Sequence, residues 1–303
     1  MRVGRFHAGK ISRKAPVWQW LLACLFQAYL LLPTTQVQAA TETPESRDSR
    51  PLILVGGYDF PPYIRLHNQH PPSGLSIMLL DAIAARHPEY RFLFVPTSIH
   101  NRYAAFSRGR FQMMLFENPQ WGWSKLNPQP HFIPLPFEDS EIYIAKAEKN
   151  RDEQFFNQLN NKQMLLVEGY HYPGLWQELG GPPKRVRYVS SNHEVLQGIL
   201  KGRADIAPLT RSMLERYLAK YPNKRRQLMI SGLRVQHYDH HILLAGDAAI
   251  KETELIATLE ALRAEGVLEK LSRQFSLPLR APSMAPRPLT EAKEPSVSPV
   301  ARQ

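Results

Sequence analysis

The feature that most constrains the fold is an alternation of short apolar runs with helix-like segments between residues 51 and 277. The first half contains, in order, a strand at Leu52–Val55, a helix after Ser76, a strand at Arg91–Val95, a helix at Asn101–Arg108 and a strand at Phe111–Phe116. Glycines end several of these segments, and serine is a residue type that favours a helix N-cap. This β-α-β-α-β order predicts a parallel sheet with helices on its faces.

The same alternation recurs in the second half of the chain. Strands are predicted at Met164–Val167, Val186–Val189 and Ala204–Ala207, and helices at His193–Leu200, around Leu255–Leu262 and at Val267–Phe275. This body of about 225 residues is long enough for two compact lobes of about 100 residues each.

The N-terminus has the order of a secretory signal. Met1–Pro16 carries five basic residues and no acidic one, Val17–Leu32 is apolar, and Val37-Gln38-Ala39 places small residues at a cleavage site. We therefore predict a signal peptide over residues 1–39 and a loose leader over residues 40–50. An uncleaved membrane anchor and a lipoprotein attached at Cys24 are the alternatives, but the apolar run is short for a membrane span.

Composition narrows the possible functions once the signal is removed. Lys and Arg fall from 38 to 33 against 27 acidic residues, so the net charge is +6 rather than +11. That excess does not require nucleic acid, and no nucleic-acid-binding motif is present. Cys24 is the only cysteine, so the mature chain has no disulfide, no thiolate metal site and no cysteine nucleophile. Six prolines among small and charged residues predict a disordered tail over residues 278–303.

The search for catalytic and metal motifs gives little. The sequence lacks Gly-x-Ser-x-Gly, His-Glu-x-x-His, a phosphate loop and a dinucleotide fingerprint. On a strand, His237, Asp239 and His241 would share one face and could bind zinc. We expect instead a polar strand there, with no metal and no cofactor.

Several segments together resemble family 3 of the bacterial extracellular solute-binding proteins. They are Gly57–Tyr63, Gly74-Leu75, Ala105–Phe111, Pro136-Phe137, Leu200–Asp205 and Leu262–Leu268. The resemblance implies an α/β fold of the type II, two-lobed periplasmic-binding-protein kind, with a hinge of two crossing strands. Lobe 1 would comprise residues 51–140 and 241–277, lobe 2 residues 141–240, and the ligand would lie in the cleft between them.

The resemblance, together with neighbouring residues, also suggests which side chains contact the ligand. The candidates are Tyr58, Phe60, Tyr63, Phe116, Glu117, Trp121, Trp123, Tyr170, His171, Thr210 and Arg211. Ser124 occupies the position of the family's carboxylate-clamping arginine, and Thr210 a position that often carries the acid for an amino group. An α-amino acid held by the family's usual grip is therefore not expected.

Some of these assignments have alternatives. The aromatic residues of Tyr58–Tyr63 form either a wall of the cleft or a rigid turn packed on its own lobe. Trp121 and Trp123 lie on one face if the chain is extended, and otherwise one or both are buried in the interior. Glu117 pairs with a cationic ligand group, with Arg211 across the cleft, or only with solvent. Arg211 is either a replacement clamp or a surface residue.

The function predicted from these features is capture of a small polar or aromatic molecule by a monomeric periplasmic protein that serves an ABC importer and is not an enzyme. A sensory module that reports its ligand to a membrane receptor is the main alternative. A dehydratase-like enzyme on the same fold, with a cleft carboxylate such as Glu117 as the catalytic group, is the third.

Overall fold

The computed structural model describes residues 48–157 and 159–281. The predicted signal peptide, most of the leader and residues 282–303 of the tail lie outside the described residues. No helix in the described part of the chain is both long and apolar enough to span a membrane.

Strands and helices alternate through most of the body. The strands are β1 Leu52–Gly57, β2 Arg91–Pro96, β3 Met113–Glu117, β4 His131–Lys146, β5 Met164–Val167, β6 Val186–Val189, β7 Ala207–Thr210 and β8 Leu228–Leu244. The helices are α1 Leu75–Ala84, α2 Arg102–Ser107, α3 Pro173–Leu179, α4 Asn192–Leu200, α5 Arg211–Lys220, α6 Glu252–Ala264 and α7 Val267–Phe275. Short 3-10 turns occur at Trp123–Lys125, Glu153–Asn157, Leu159–Asn161 and Pro222–Gln227.

Two long strands connect the two halves of the molecule. The main sheet has the order β2-β1-β3-β8-β4-β7, and β5 pairs with β6 in a second, parallel sheet. The pairs β1–β2 and β1–β3 are parallel, whereas β8 is antiparallel to both β3 and β4. Because β4 has 16 residues and β8 has 17, the same two strands take part in the packing of both halves.

The hydrophobic core is divided between the two halves. One cluster joins β1 and β3 to α1, α6 and α7, and its members run from Ile53 to Phe137 and from Ile242 to Leu277. Two smaller clusters contain the buried residues of β5, β7, α4 and α5, all between Ile142 and Leu228. Tyr170 packs against all three clusters, so it lies where the two halves meet.

Most predicted elements of the body are confirmed, but several boundaries differ from the prediction by one to three residues. Helix α1 begins at Leu75 after Gly74, not after Ser76. Gly74 has φ of +125°, and a Cβ atom there would lie 2.3 Å from the Tyr63 carbonyl oxygen, so only glycine fits. The strand predicted at Ala204–Ala207 begins instead at Ala207, because residues 201–205 form a turn whose Asp205 carboxylate accepts the Gln163 N–H at 2.7 Å.

The beginning of the predicted disordered tail is ordered in this structure. Leu279 forms a bridge with Phe137 of β4, the Glu138 N–H donates to the Pro278 carbonyl at 3.0 Å, and the Arg280 N–H donates to the Pro136 carbonyl at 2.8 Å. The Arg280 guanidinium also pairs with Glu138 on β4 and with Asp239 on β8. We call residues 278–281 the strap. For these four residues the prediction of disorder is wrong, because paired backbone and buried charges hold them.

Candidate functional site

A narrow cavity lies at the junction of the two halves. It is lined by Tyr58, Phe60, Ile99, Arg102, Trp121, Glu141, Tyr170, His171 and Thr210. Its empty volume is about 310 Å³, but water centres can occupy only about 20 Å³ of it, which is space for one or two waters. A ligand larger than water therefore requires the walls to separate before it can enter.

Strand ends and the loops that follow them supply most of the lining residues. Tyr58 and Phe60 follow β1, Trp121 follows β3 and Tyr170 follows β5, while Thr210 is the last residue of β7. In open α/β sheets the carboxyl ends of strands are where ligands bind, because the loops there converge on one edge of the sheet. The cavity thus lies where this architecture places a ligand site.

The apolar wall of the cavity is built around Phe60. Its ring packs edge-on against Trp121 with centroids 5.8 Å apart and against Tyr170 at 5.4 Å, and it stacks on Tyr58 at 5.8 Å. Aromatic contacts of this geometry add about 0.5–1.5 kcal/mol each beyond their buried area. Phe60 therefore joins aromatic side chains from both halves across the cavity.

Arg102, the first residue of α2, brings a buried positive charge to the cavity. Only 1% of the residue is exposed, and its guanidinium donates to the Ile99 carbonyl and to the Tyr103 hydroxyl. Its two terminal nitrogens also lie 3.4 Å from the Gly169 carbonyl oxygen in the other half. The charge is further stabilised over the Tyr103 ring, whose centroid is 4.2 Å from the guanidinium carbon.

Glu141 and Thr210 form the opposite polar side. They are directly opposite each other in the β4–β7 ladder, and both are buried. Burial, reinforced by the nearby charge of Asp139, raises the pKa of Glu141 to about 8. At neutral pH this carboxyl is mainly protonated, because desolvation penalises its anionic form.

Three polar atoms among the cavity residues have no hydrogen-bond partner in the described part of the chain. They are Arg102 Nε, Glu141 Oε2 and Thr210 Oγ1. Buried polar groups in native proteins are nearly always satisfied, and exceptions call for a physical reason. A ligand in the adjoining cavity would supply the missing partners.

Comparison with known proteins is informative only at the level of structure. No protein-family model matches the sequence, and no curated protein matches it. Among solved structures, the substrate-binding protein of an amino acid ABC transporter matches with a TM-score of 0.59 and 15% identity, over 74% of this chain and 98% of that one.

Two further solved structures with the same fold belong to other kinds of protein. A histidine kinase sensor domain with similarity to periplasmic binding proteins matches with a TM-score of 0.63 and 18% identity, over 77% of this chain and 100% of that one. An ancestral amino acid-binding protein, a precursor of cyclohexadienyl dehydratase, matches with a TM-score of 0.58 and 19% identity, over 74% and 94%.

The fold is that of the two-lobed periplasmic binding proteins. The fold class predicted from the sequence, with its two crossing strands, is thereby confirmed, and β4 and β8 are those strands. At these sequence identities the similarity shows only the fold. The evidence about function comes from the residues that line the cavity.

The cavity includes six of the eleven residues predicted as ligand contacts. They are Tyr58, Phe60, Trp121, Tyr170, His171 and Thr210. The other five, Tyr63, Phe116, Glu117, Trp123 and Arg211, do not line it. Of these, Arg211 begins α5 and is half-buried beside Thr210.

The two tryptophans do not share a face. Trp121 lines the cavity, whereas Trp123 is fully buried against Tyr103, with ring centroids 4.7 Å apart. Gly122 between them has φ of +83° and Trp123 begins a 3-10 turn, so the extended alternation assumed from the sequence does not apply. Of the two alternatives, burial of one tryptophan in the interior is therefore the one observed.

Glu117 supports the cavity from behind. It is 1% exposed, and its Oε2 accepts the indole N–H of Trp123 at 2.7 Å. Burial raises the pKa of Glu117, and Arg102 and the Trp123 hydrogen bond partly offset that rise. No ion pair joins Glu117 with Arg211 among the described residues, so the pairing across the cleft, one of the alternatives left open by the sequence, is absent from this structure, and the Glu117 carboxylate bonds to Trp123 instead.

Tyr63 and Phe116 also lie behind the cavity. The Tyr63 hydroxyl bonds to Asp139 on β4 and lies 2.7 Å from the ring nitrogen of His240 on β8, while Phe116 packs on the Tyr63 ring at 4.9 Å. Burial lowers the pKa of His240 to about 3, so this ring is neutral. These contacts connect the crossing strands β4 and β8 to β3 and to the loop after β1.

The histidine-rich part of β8 does not form the cluster suggested by strand alternation. Glu138, His237 and Asp239 place potential ligand atoms within 4.8 Å of one another, but Arg280 of the strap pairs with both acids. A guanidinium competes with a metal ion for the same oxygens. His241 packs against Phe132 instead, with ring centroids 6.0 Å apart.

Proposed function

We propose that this chain is a periplasmic solute-binding protein that captures one small polar or aromatic molecule in the cavity between its lobes. The observation that carries the proposal is the combination of an aromatic wall with three buried, unsatisfied polar atoms in one cavity. Such cavities, mostly apolar with a few convergent polar groups, are typical of small-molecule sites.

The packing supports the lobe boundaries proposed from the sequence. Residues 51–140 and 241–277 would form lobe 1, and residues 141–240 lobe 2, with the core clusters separated accordingly. Because the cavity is too small for a ligand in this conformation, capture would require the lobes to open and then close by hinge motion at β4 and β8.

We propose that the protein acts as a monomer and delivers its ligand to an ABC importer, and reporting to a membrane receptor is the alternative. The fold similarity to a histidine kinase sensor domain supports this alternative. The two differ in a deletion strain: loss of the importer component abolishes uptake of the solute, whereas loss of a sensor abolishes the transcriptional response and leaves uptake unchanged.

We also propose that the protein binds its ligand without transforming it. The nine lining residues include no serine or cysteine nucleophile, and Glu117 lies behind the cavity. The carboxyl that does line it, Glu141, is mainly protonated at neutral pH and can donate a hydrogen bond to a ligand. Mass spectrometry can follow a bound compound during incubation with the protein for several hours. Chemical conversion of that compound would contradict this part of the proposal and favour the dehydratase-like alternative.

A thermal-shift screen tests binding directly. The mature protein is screened against amino acids, amines, sugars and carboxylates, and a true ligand at 100 times its Kd adds about 2.7 kcal/mol of stability. Phe60→Ala and Trp121→Ala should remove the shift. Trp176→Ala is the matched control, because Trp176 stacks on Tyr172 away from the cavity and its loss should leave the shift in place.

A further inference from the structure

The net positive charge of the folded body lies in one lobe. Residues 141–240, the proposed lobe 2, contain 16 basic and 10 acidic residues, a net charge of +6. Residues 51–140 and 241–277, the proposed lobe 1, contain 11 basic and 12 acidic residues, a net charge of −1. An excess of one sign of charge on one part of a protein favours contact with partners of the opposite sign.

Most of the basic residues of lobe 2 occur in five short segments. The segments contain 12 basic and 4 acidic residues, a net charge of +8, and eight of the 12 basic side chains are exposed. Each segment lies at an end of a strand or helix or in the adjoining turn. The segments are residues 146–153, 161–163, 184–185, 201–205 and 220–227.

Strand pairing brings these segments to the same end of lobe 2. Lys146 at the end of β4 is opposite Leu228 at the start of β8, and the Ala147 N–H donates to the Gln227 carbonyl at 3.0 Å. A Cβ atom at Gly202 would lie 3.7 Å from the Lys146 Nζ, so the turn before β7 is at this end as well.

The starts of β5 and β6 complete this end of the lobe. Met164 at the start of β5 pairs with Val186 at the start of β6 and forms a bridge with Ile206. The Asp205 N–H donates to the Gln163 carbonyl at 2.9 Å, which joins the turn before β5 to the turn before β7. The five segments therefore form one continuous surface, which we call the basic end.

The basic end is separate from the cavity. Glu141 lines the cavity, and Lys146 lies five residues farther along β4, which is about 17 Å in an extended strand. This separation exceeds the screening length of about 8 Å at physiological ionic strength. The positive charge of the basic end is therefore not a contact for a ligand in the cavity.

The acidic residues of the basic end do not neutralise it. Glu148 pairs with Arg151 at 3.0 Å, whereas Asp152, Glu153 and Asp205 accept hydrogen bonds from backbone N–H groups. Only one of the 12 cations is thus paired with an acidic residue of these segments among the ion pairs that join described residues.

The basic end exposes cations together with one aromatic ring. The cations in the turns before β7 and β8 include Lys201, Arg203, Arg225 and Arg226, which are exposed and form no ion pair with a described residue. Tyr221, beside these turns, is 41% exposed. Lysine, arginine and tyrosine side chains suit a membrane–water interface, whereas the centre of a protein–protein interface is depleted of charged residues.

We propose that the basic end is a docking surface for an anionic phospholipid membrane, to which the protein binds through lobe 2 while the cavity stays away from the lipid. Each lysine or arginine close to such a membrane increases the affinity about 5-fold. Membrane docking goes beyond the proposed function and does not depend on which solute the cavity binds.

Co-sedimentation with lipid vesicles tests this docking surface. The mature protein is mixed with vesicles of phosphatidylcholine, either alone or with about one third phosphatidylglycerol. We expect binding only to the vesicles that contain phosphatidylglycerol. Raising NaCl from about 0.05 M to about 0.5 M should weaken it at least about 10-fold, because the screening length falls from about 14 Å to about 4 Å. No binding to these vesicles, equal binding to both kinds, or binding that salt does not weaken would overturn the proposal.

Two fourfold variants with the same net charge locate the contact. All eight replaced side chains are exposed, and each variant loses four positive charges. The variant of the basic end should bind the anionic vesicles at least about 10-fold more weakly, and the lobe 1 variant less than about 2-fold more weakly. Equal losses would show that only the net charge matters and would overturn the proposal. The basic-end variant combines Lys201→Gln, Arg203→Gln, Arg225→Gln and Arg226→Gln, and the lobe 1 variant combines Arg108→Gln, Arg110→Gln, Lys270→Gln and Arg273→Gln.

Both variants should melt at the wild-type temperature, because exposed side chains outside the packed core contribute little to stability. If the basic-end variant unfolds, its two pairs of substitutions, at residues 201 and 203 and at residues 225 and 226, are measured separately. Each pair should weaken vesicle binding at least about 3-fold, and unchanged binding in both would overturn the proposal.

Competition with duplex DNA distinguishes a membrane from a nucleic acid as the partner. At the same concentration of negative charge, DNA should leave most of the protein on the anionic vesicles. Displacement of the protein from the vesicles by DNA would overturn the membrane as the partner and favour a nucleic acid.

Discussion

At the scale of single residues, the sequence identified the aromatic side of the site better than its polar side. The aromatic residues after β1 and β5 lie in strand-end loops, so their position could be predicted from topology alone. Arg102 resembled any arginine at the start of a surface helix, and its burial depends on the approach of Gly169 from the other lobe. Glu141 could have been suspected, because acidic residues interrupt the long strand β4.

The buried carboxyl of Glu141 should make the stability of the protein depend on pH. Burial raises the pKa of Glu141 from 4.5 to about 8, so the folded state binds more protons than the unfolded state between these values. The contribution of Glu141 to the free energy of unfolding is fully present below pH 4.5 and is lost as the pH rises to about 8. Glu141→Gln should therefore stabilise the ligand-free protein at pH 9, by at most about 5 kcal/mol.

Thermal unfolding of wild type and Glu141→Gln between pH 5 and pH 9 measures this effect. The difference in Tm should increase with pH across that range. A difference that is constant, or that favours the wild type at pH 9, would show that the carboxylate has a partner in solution.

At the scale of elements, most strands and helices of the α/β alternation could be predicted, whereas the irregular segments could not. The segment from Phe116 to Trp123 contains a register shift, two residues with positive φ and a 3-10 turn, none of which has a periodic signal. The strap was missed because the prolines of residues 278–303 suggested disorder, while its stability comes from pairing with distant residues on β4 and β8.

Gly122 should allow the two lobes to close, because it has no side chain where they approach each other. A Cβ atom there would lie 2.8 Å from the His171 ring in the other lobe, whereas at Gly109 no atom lies within 4 Å. Both glycines have positive φ, so replacing either with alanine costs about 1–2 kcal/mol of backbone strain. Gly122→Ala should weaken ligand binding by about 10-fold or more, and Gly109→Ala should not. Equal affinities in calorimetry would mean that the lobes do not approach here when ligand is bound.

The strap should stabilise the crossing strands. Arg280 is 8% exposed and pairs with Glu138 and Asp239, so Arg280→Ala leaves two largely buried carboxylates with only the His237 ring beside them and should cost about 3–5 kcal/mol. Arg273→Ala, on the exposed side of α7, should change stability by less than about 0.5 kcal/mol. Urea denaturation of the wild type, Arg280→Ala and Arg273→Ala measures these changes in stability. Similar midpoints for all three proteins would show that the strap contributes little to stability.

At the scale of the whole molecule, the two-lobed fold was predictable because length, alternation and segment order agree, but the role was not. The same fold occurs in a transporter's binding protein and in a kinase sensor domain. Function therefore depends on a site formed by residues from distant parts of the sequence, which no local pattern records.

Export is a prediction about the whole chain. Cleavage after Ala39 should give a periplasmic protein that begins at Ala40, which intact-mass and N-terminal peptide analysis would identify. Residues 1–39 retained in a membrane fraction would contradict the prediction and favour an anchor.

Native mass spectrometry of the protein isolated from its own periplasm tests the central claim most directly, since it requires no prior choice of ligand. We expect one small molecule bound per chain in the wild type and in Trp176→Ala, and none in Trp121→Ala. An unliganded wild-type protein, or a bound molecule retained in Trp121→Ala, would contradict capture in this cavity.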